Sequence, residues 1–360
     1  FLPDLGGGGS ERAMTGLAGE FVSRGFDVDL VVGLAAGPNL ERVPSGVRLV
    51  DLKTVRMSRT VWPLVRYLRR VRPDALLSTC NHANVVAAVA GRLAGGETRV
   101  VLRQGDTLSE TPRWLGTVTA RLLVAVARRV YRLADRVIAN SDGVAKDLVA
   151  CIGLPQERVV RIYNHVDIDR VQAAGACPQD HPWLQSGEAP VVVGVGRLTA
   201  VKDWPTLVRA FAHLETERPA HLILLGEGEE RGAIEALVNE LGLVDRVHLP
   251  GFVANPHAIM ARASLVVLSS RLEGLPNVLI EALALGRPVV STDCPSGPRE
   301  ILDGGRFGPL VPCGDVHALT AAMRSALDAP LASEVLEARA RDFAPDVIIP
   351  RYLEVLFGPA

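Results

Sequence analysis

The stretch from Ser269 to Glu300, with the apolar run that leads into it, constrains this chain more than any other. That run is Ala263-Ser264-Leu265-Val266-Val267-Leu268, whose length and β-branched content predict a buried strand. A loop follows, Arg271-Leu272-Glu273-Gly274-Leu275, and then Pro276, which suits the first turn of a helix because its missing N–H would have no partner there. Val278, Leu279, Ala282 and Leu283 share one face of that helix, Gly286 suits a left-handed C-cap, and Pro288 blocks continuation. Val289-Val290-Ser291-Thr292 returns as a second strand.

Such a unit sets the N-terminus of a helix at the end of a strand. Unpaired N–H groups and a partial positive charge there make a ready site for an anion such as a diphosphate. Two carboxylates flank it, Glu273 in the loop and Glu281 on the helix. Beside a phosphate site, carboxylates are better suited to accept hydrogen bonds from the hydroxyls of a sugar or a ribose. An isolated pair with this spacing is better explained as a solvated helix with one acid in a turn; the whole loop–helix sequence is what gives it weight.

A second glycine-bearing strand end precedes this unit. Val191-Val192-Val193-Gly194-Val195-Gly196-Arg197-Leu198 leads to Lys202-Asp203-Trp204-Pro205. The glycines permit close approach of a diphosphate, Arg197 can grip oxygens in a fork, and Lys202 supplies a point charge. The third glycine of a dinucleotide fingerprint is missing. His221-Leu222-Ile223-Leu224-Leu225-Gly226 and Val247-His248-Leu249-Pro250-Gly251-Phe252-Val253 predict two more strands; core packing is the plain reading of Phe252.

The first half carries another glycine loop, Gly6-Gly7-Gly8-Gly9-Ser10-Glu11-Arg12, directly before an amphipathic helix containing Leu17, Phe21 and Val22. A flexible linker is the alternative. Val61, Leu64, Val65, Leu68 and Val71 form a helical stripe surrounded by Arg56, Arg59, Arg66, Arg69, Arg70 and Arg72. These arginines suit anionic headgroups or a pyrophosphate as well as they suit a solvated helix. A second basic helix runs from Arg113-Trp114 to Arg136. The predicted strands 74–79 and 98–102 deliver His82 and Asp106 to loops at their carboxyl ends, where open α/β sheets gather ligands. Each is a candidate to touch substrate, with a structural or solvated role as the alternative.

Length suits two domains of ordinary size: 1–170, a linker at 171–190 rich in Ala, Gly, Pro and Gln, 191–340, and a last segment over 341–360 that is amphipathic from Val347 to Phe357. The first 180 residues hold six more Lys and Arg than Asp and Glu, the last 180 seven fewer, a tilt too small to indicate nucleic acid. Five scattered cysteines without a C-x-x-C pair fit reduced thiols in the cytoplasm rather than a disulfide framework or structural zinc. No apolar stretch approaches the ~20 residues of a membrane span. The abrupt start at Phe1 predicts an N-terminus a few residues upstream.

Glu273 to Glu281, followed by Gly286-Arg287-Pro288-Val289-Val290, resembles the hallmark of the retaining glycosyltransferases of family 4. Gly196-Arg197-Leu198 through Lys202 matches their G-R-L-x-x-x-K pattern, and Ile162 to Asp167 is similar to the stretch that closes their first domain. The resemblance implies an α/β, GT-B architecture, two Rossmann-like domains facing each other across a cleft, with the helix over 341–360 crossing back to the first domain. It implies transfer of a hexose or N-acetylhexosamine from a UDP-sugar to a glycan or polyprenyl-diphosphate-linked acceptor; the expected location is the cytoplasm, with peripheral contact at the inner face of the cell membrane as the option the basic helices add. By the same resemblance, Gly7, Gly8, Gly196, Arg197, Lys202, Gly226, Phe252, Val253, Glu273, Gly274, Leu275, Pro276, Asn277 and Glu281 line the donor site. Many relatives place a histidine in the loop after Leu102; this chain has Arg103-Gln104-Gly105-Asp106-Thr107, which leaves the acceptor base unassigned. No D-x-D pair stands in these stretches, so metal independence is expected. A UDP-sugar 2-epimerase of the same fold and a non-catalytic nucleotide- or NAD-binding protein are the alternatives.

Overall fold

The structure, a computed structural model, describes residues 1–6, 8–110 and 118–358. The chain divides into two compact units, one of Phe1–His165 with Pro345–Ala360 and one of Val166–Ala344.

In the first unit, strands β1 (Asp29–Val32), β2 (Arg48–Asp51), β3 (Ala75–Thr79), β4 (Arg99–Gln104), β5 (Arg136–Ala139) and β6 (Val159–Arg161) pair in parallel. Among the described residues they form a two-stranded sheet, β1-β2, and a four-stranded one, β3-β4-β5-β6. The helices are α1 (Gly9–Ser23), α2 (Met57–Val71), α3 (Asn81–Ala94), α4 (Val118–Val130) and α5 (Asp142–Ala150). The basic stretch before Val118 lies largely outside the described residues. The apolar stripe of α2 is turned inward, with Leu64, Val65 and Leu68 buried, as its 3.6-residue period requires.

In the second unit come α6 (Ile168–Gly175), α7 (Pro182–Ser186), β7 (Val191–Val195), α8 (Trp204–Glu217), β8 (His221–Leu225) and α9 (Arg231–Glu240). They are followed by β9 (Val247–Gly251), α10 (Pro256–Met260), β10 (Leu265–Leu268), α11 (Asn277–Ala284), β11 (Val289–Thr292), α12 (Pro298–Ile301), β12 (Leu310–Val311), α13 (Val316–Asp328) and α14 (Ser333–Ala340). Among the described residues the sheet is wholly parallel, in the order β12-β11-β10-β7-β8-β9. That is the doubly wound order, with the reversal between β7 and β10, where the connections diverge to opposite sides and leave room for a ligand at the carboxyl ends. Near-continuous apolar runs such as Val191–Val193 and Leu265–Leu268 are buried on both faces, the pattern of a parallel sheet.

Residues 171–190 hold the end of α6 and all of α7. Alanines favour the helix, and Gly175 lets α6 pack tightly: a Cβ there would meet Leu285 Cδ2 at 2.5 Å and Ala261 Cβ at 3.1 Å. The last helix, α15 (Pro345–Phe357), belongs to the first unit. Its Ile348, Ile349 and Leu356 join Leu17, Leu30, Val101 and Ile138 in one core.

Candidate functional site

The carboxyl ends of β7 and β10 meet at the reversal point, and two loops leave from there. The first runs Gly196-Arg197-Leu198 to Lys202; the second runs Ser269 to Pro276. Ser269 Oγ donates to the Lys202 carbonyl at 2.8 Å, and Arg271 N donates to the Val201 carbonyl at 2.8 Å, so the loops are tied by one side-chain and one backbone hydrogen bond. Between them Lys202 Nζ lies 2.5 Å from Glu273 Oε1, with side chains 20% and 12% exposed. Ser270 Oγ donates to the same oxygen at 2.6 Å. Trp204, buried, anchors the first loop by donating from Nε1 to the Arg197 carbonyl at 2.9 Å.

Asp203 stands in the left-handed region, φ 48°, a conformation that Asp tolerates better than most residues. Its carboxylate accepts from Arg271 Nε and Thr206 Oγ1, both at 2.8 Å. These bonds hold the turn that aims Lys202. Arg197 is exposed at the rim.

The glycines permit the close packing of strand ends. Gly196 N donates to Leu225 O and Gly226 N to Gly251 O, each at 2.9 Å. A Cβ on Gly226, whose φ is +147°, would fall 1.9 Å from Gly196 O. Phe252, next along, is 71% exposed, which overturns core packing as its explanation; Val253 beside it is half-buried.

The second loop ends at α11. Pro276 is its N-cap rather than a first-turn residue, and supplies no side-chain bond to the helix. Asn277 begins the helix, and Gly286, φ +63°, follows its end as expected. Gly274 and Leu275 are buried because Ser296 Oγ donates to Gly274 O at 2.9 Å, and Gly297, φ +93°, lies against the same backbone. Cys294 is buried nearby; burial, then the charge of Glu273, push its thiol above the ordinary range. Glu281 points from α11 towards His257 on α10, Oε2 to Nε2 3.5 Å. A cation, an acid, a helix N-terminus and close backbone approach together suit a diphosphate carrying hydroxylated groups.

In the first unit, His82 is exposed in the first turn of α3, after β3. Asp106 follows β4, accepting from Gln104 Nε2 at 2.5 Å, while burial pushes its carboxyl above the usual range. No hydrogen bond joins His82 to Asp106 among the described residues. Gly8 is the N-cap of α1, where the Glu11 carboxylate lies over it: a Cβ on Gly8 would meet Glu11 Oε2 at 2.3 Å. Gly7 lies outside the described residues. No three His, Cys, Asp or Glu side chains come together as metal ligands could among the described residues.

The family model "Glycosyltransferase Family 4" matches residues 7–170, and "Glycosyl transferases group 1" matches residues 189–329. The chain is a glycosyltransferase of the family 4 type. This transferase is 28% identical over 339 residues to the N-acetylgalactosamine-N,N'-diacetylbacillosaminyl-diphospho-undecaprenol 4-alpha-N-acetylgalactosaminyltransferase of Campylobacter jejuni, covering 91% of this chain and 89% of that protein. It is 27% identical to the lipopolysaccharide core biosynthesis glycosyltransferase LpsE of Rhizobium meliloti, covering 97% and 96%. Among solved structures, Anabaena Alr3699/HepE in complex with UDP and glucose superposes with a TM-score of 0.80 at 24% identity, over 99% of this chain and 98% of that one. The fold of the transferase is thus GT-B. Among the described residues, no helix is long and apolar enough to cross a membrane.

The structure brings Gly196, Lys202, Gly226, Glu273, Gly274, Leu275 and Pro276 to one sheet edge, and sets His82, Asp106 and Gly8 in the other unit. Sequence reasoning missed Ser270, Asp203 and His257. Ser269-Ser270, polar residues ending an apolar strand, were the available signal for the first; nothing local marks His257.

Proposed function

We propose that this glycosyltransferase moves a hexose or N-acetylhexosamine from a UDP-sugar to a glycan or polyprenyl-diphosphate-linked acceptor, with retention of anomeric configuration. The observation that carries the reading is the Lys202–Glu273 pair beside the N-terminus of α11, at the reversal point of the sheet. Without ligand, the two charges balance each other. An incoming diphosphate draws Lys202, and releases Glu273 to accept bonds from donor-sugar hydroxyls. Lys202, Arg197 and the N–H groups at Asn277 stabilise charge developing on the β-phosphate, help of the kind that usually dominates such catalysis. The acceptor hydroxyl attacks on the face the diphosphate leaves, and its proton passes to the departing phosphate oxygen. Glu281 binds the ribose, and the exposed Phe252 with Val253 meets the base.

The first unit takes the acceptor, with His82 and Asp106 as its candidate polar contacts. The Campylobacter relative's name specifies a diphospho-undecaprenol acceptor, and the Anabaena neighbour holds UDP and glucose; both support the assignment. On α2, Arg59, Arg66, Arg69 and Arg70 are exposed around Trp62, itself 61% exposed. An aromatic ring among cations suits peripheral contact with an anionic membrane surface.

Calorimetry in EDTA with UDP, GDP, ADP and NAD tests the donor. Selective UDP binding is expected. A preference for GDP or ADP changes the donor, and binding of NAD alone defeats the reading. Isomerisation of a UDP-sugar without acceptor would make the protein an epimerase instead.

A further inference from the structure

Glu281 does not stand alone on α11. His257 Nε2 faces its Oε2 at 3.5 Å, with the two side chains only 20% and 18% exposed. That ring nitrogen is buried and has no hydrogen-bond partner among the described residues. A buried polar atom without a partner is costly and uncommon, and points to a partner acquired in another state.

The frame around the pair is rigid. Helix α6 clasps both elements: Gln172 Nε2 donates to Ala284 O at the end of α11, at 3.0 Å. Asn255 Nδ2 donates to Ala174 O at 2.9 Å, and Arg262 Nη1 to Gly175 O at 3.1 Å, fixing the two ends of α10. Gly175 sits so close that its missing Cβ would lie 3.7 Å from the His257 carbonyl. The helix carrying His257 is therefore held against the one carrying Glu281, and only side-chain rotation is needed to close the gap.

We propose that His257 is a positioning residue for nucleotide binding. Its Nε2–H takes one oxygen of Glu281 when ligand enters, and so turns the other oxygen towards a ribose hydroxyl. This rests on the reading of Glu281 as the ribose ligand.

The test is calorimetry on the full chain with UDP, 2′-deoxy-UDP and 3′-deoxy-UDP, for the wild type, H257M, H257Q and E281Q, each checked by thermal melting. The wild type should prefer UDP over at least one deoxy analogue, and E281Q should lose that preference. H257M, which has no donor, should weaken UDP about fivefold while barely moving that analogue, a step typical of one ordinary hydrogen bond. H257Q, whose amide can still donate, should keep most of the preference. If H257M weakens all ligands equally, His257 only packs and the proposal falls. If E281Q loses the preference and H257M keeps it, His257 is dismissed and the ribose reading stands. If E281Q keeps the preference, or the wild type binds no UDP, the underlying reading fails and takes the proposal with it. Should H257M not fold, H257A takes its place in the same comparison.

Discussion

Each unit places a cation at the carboxyl edge of its sheet, and the two are handled in opposite ways. Arg103 in β4 is 2% exposed and bound by neutral oxygens: Nε donates to Tyr352 Oη and Nη1 to Thr79 Oγ1, both at 3.1 Å, and Nη2 to Asn164 Oδ1. These partners come from α15, β3 and the segment after β6, so the guanidinium knits distant parts of one unit. Lys202 is half-open and balanced by a carboxylate on the neighbouring loop. A cation sealed among neutral oxygens serves the fold; the one paired with an acid in a more open loop is, in the proposed function, the one that meets the ligand.

The largest test of this contrast is K202A, which should lower transfer by ~10²–10³-fold, the scale of losing one preorganised charge contact. Its melting temperature should stay close to the wild type; near-normal turnover would place the chemistry elsewhere. R103M should do the reverse. Chemical denaturation is expected to show a loss of about 3 kcal/mol, because the oxygens of Tyr352, Thr79 and Asn164 would each lose a buried charged donor. A stable but inactive R103M would give Arg103 a part in binding.

The two glycine loops sharpen the comparison. G226A should cost about 2–3 kcal/mol and abolish UDP binding, since its Cβ would collide with the Gly196 carbonyl at a φ unsuited to alanine. G8A should cost less than about 0.5 kcal/mol: φ is −76° and only the end of the Glu11 side chain must move. Equal costs, measured by melting, would contradict the packing described.

The smallest effect concerns pH. Burial raises the folded-state pKa of Asp106 above its unfolded value, so between the two the folded protein holds a proton the unfolded chain has lost. Stability therefore falls as pH rises through that window. D106N escapes this penalty: it should melt higher than the wild type at neutral pH, with the gain vanishing towards pH 3.8. A gain that is constant with pH would mean the carboxyl is not desolvated.

The sequence by itself determined the strand–loop–helix–strand unit around Glu273 and Glu281, because periodicity, Gly286 and Pro288 act locally. It also determined the G-R-L-x-x-x-K turn, since glycines and cations at fixed offsets leave few alternatives beside a strand end. It did not determine which charges meet. The pairing of Lys202 with Glu273 joins residues from different strand ends, and only the β7–β10 adjacency of the folded sheet brings them together. His257 reaches Glu281 only because α6 clasps α10 and α11, contacts set by the missing side chain of Gly175. Arg103 looked like one more loop cation; its burial depends on α15 returning from the far end of the chain with Tyr352. Local sequence decides the elements, while partners and burial arise from long-range packing, which no short pattern encodes.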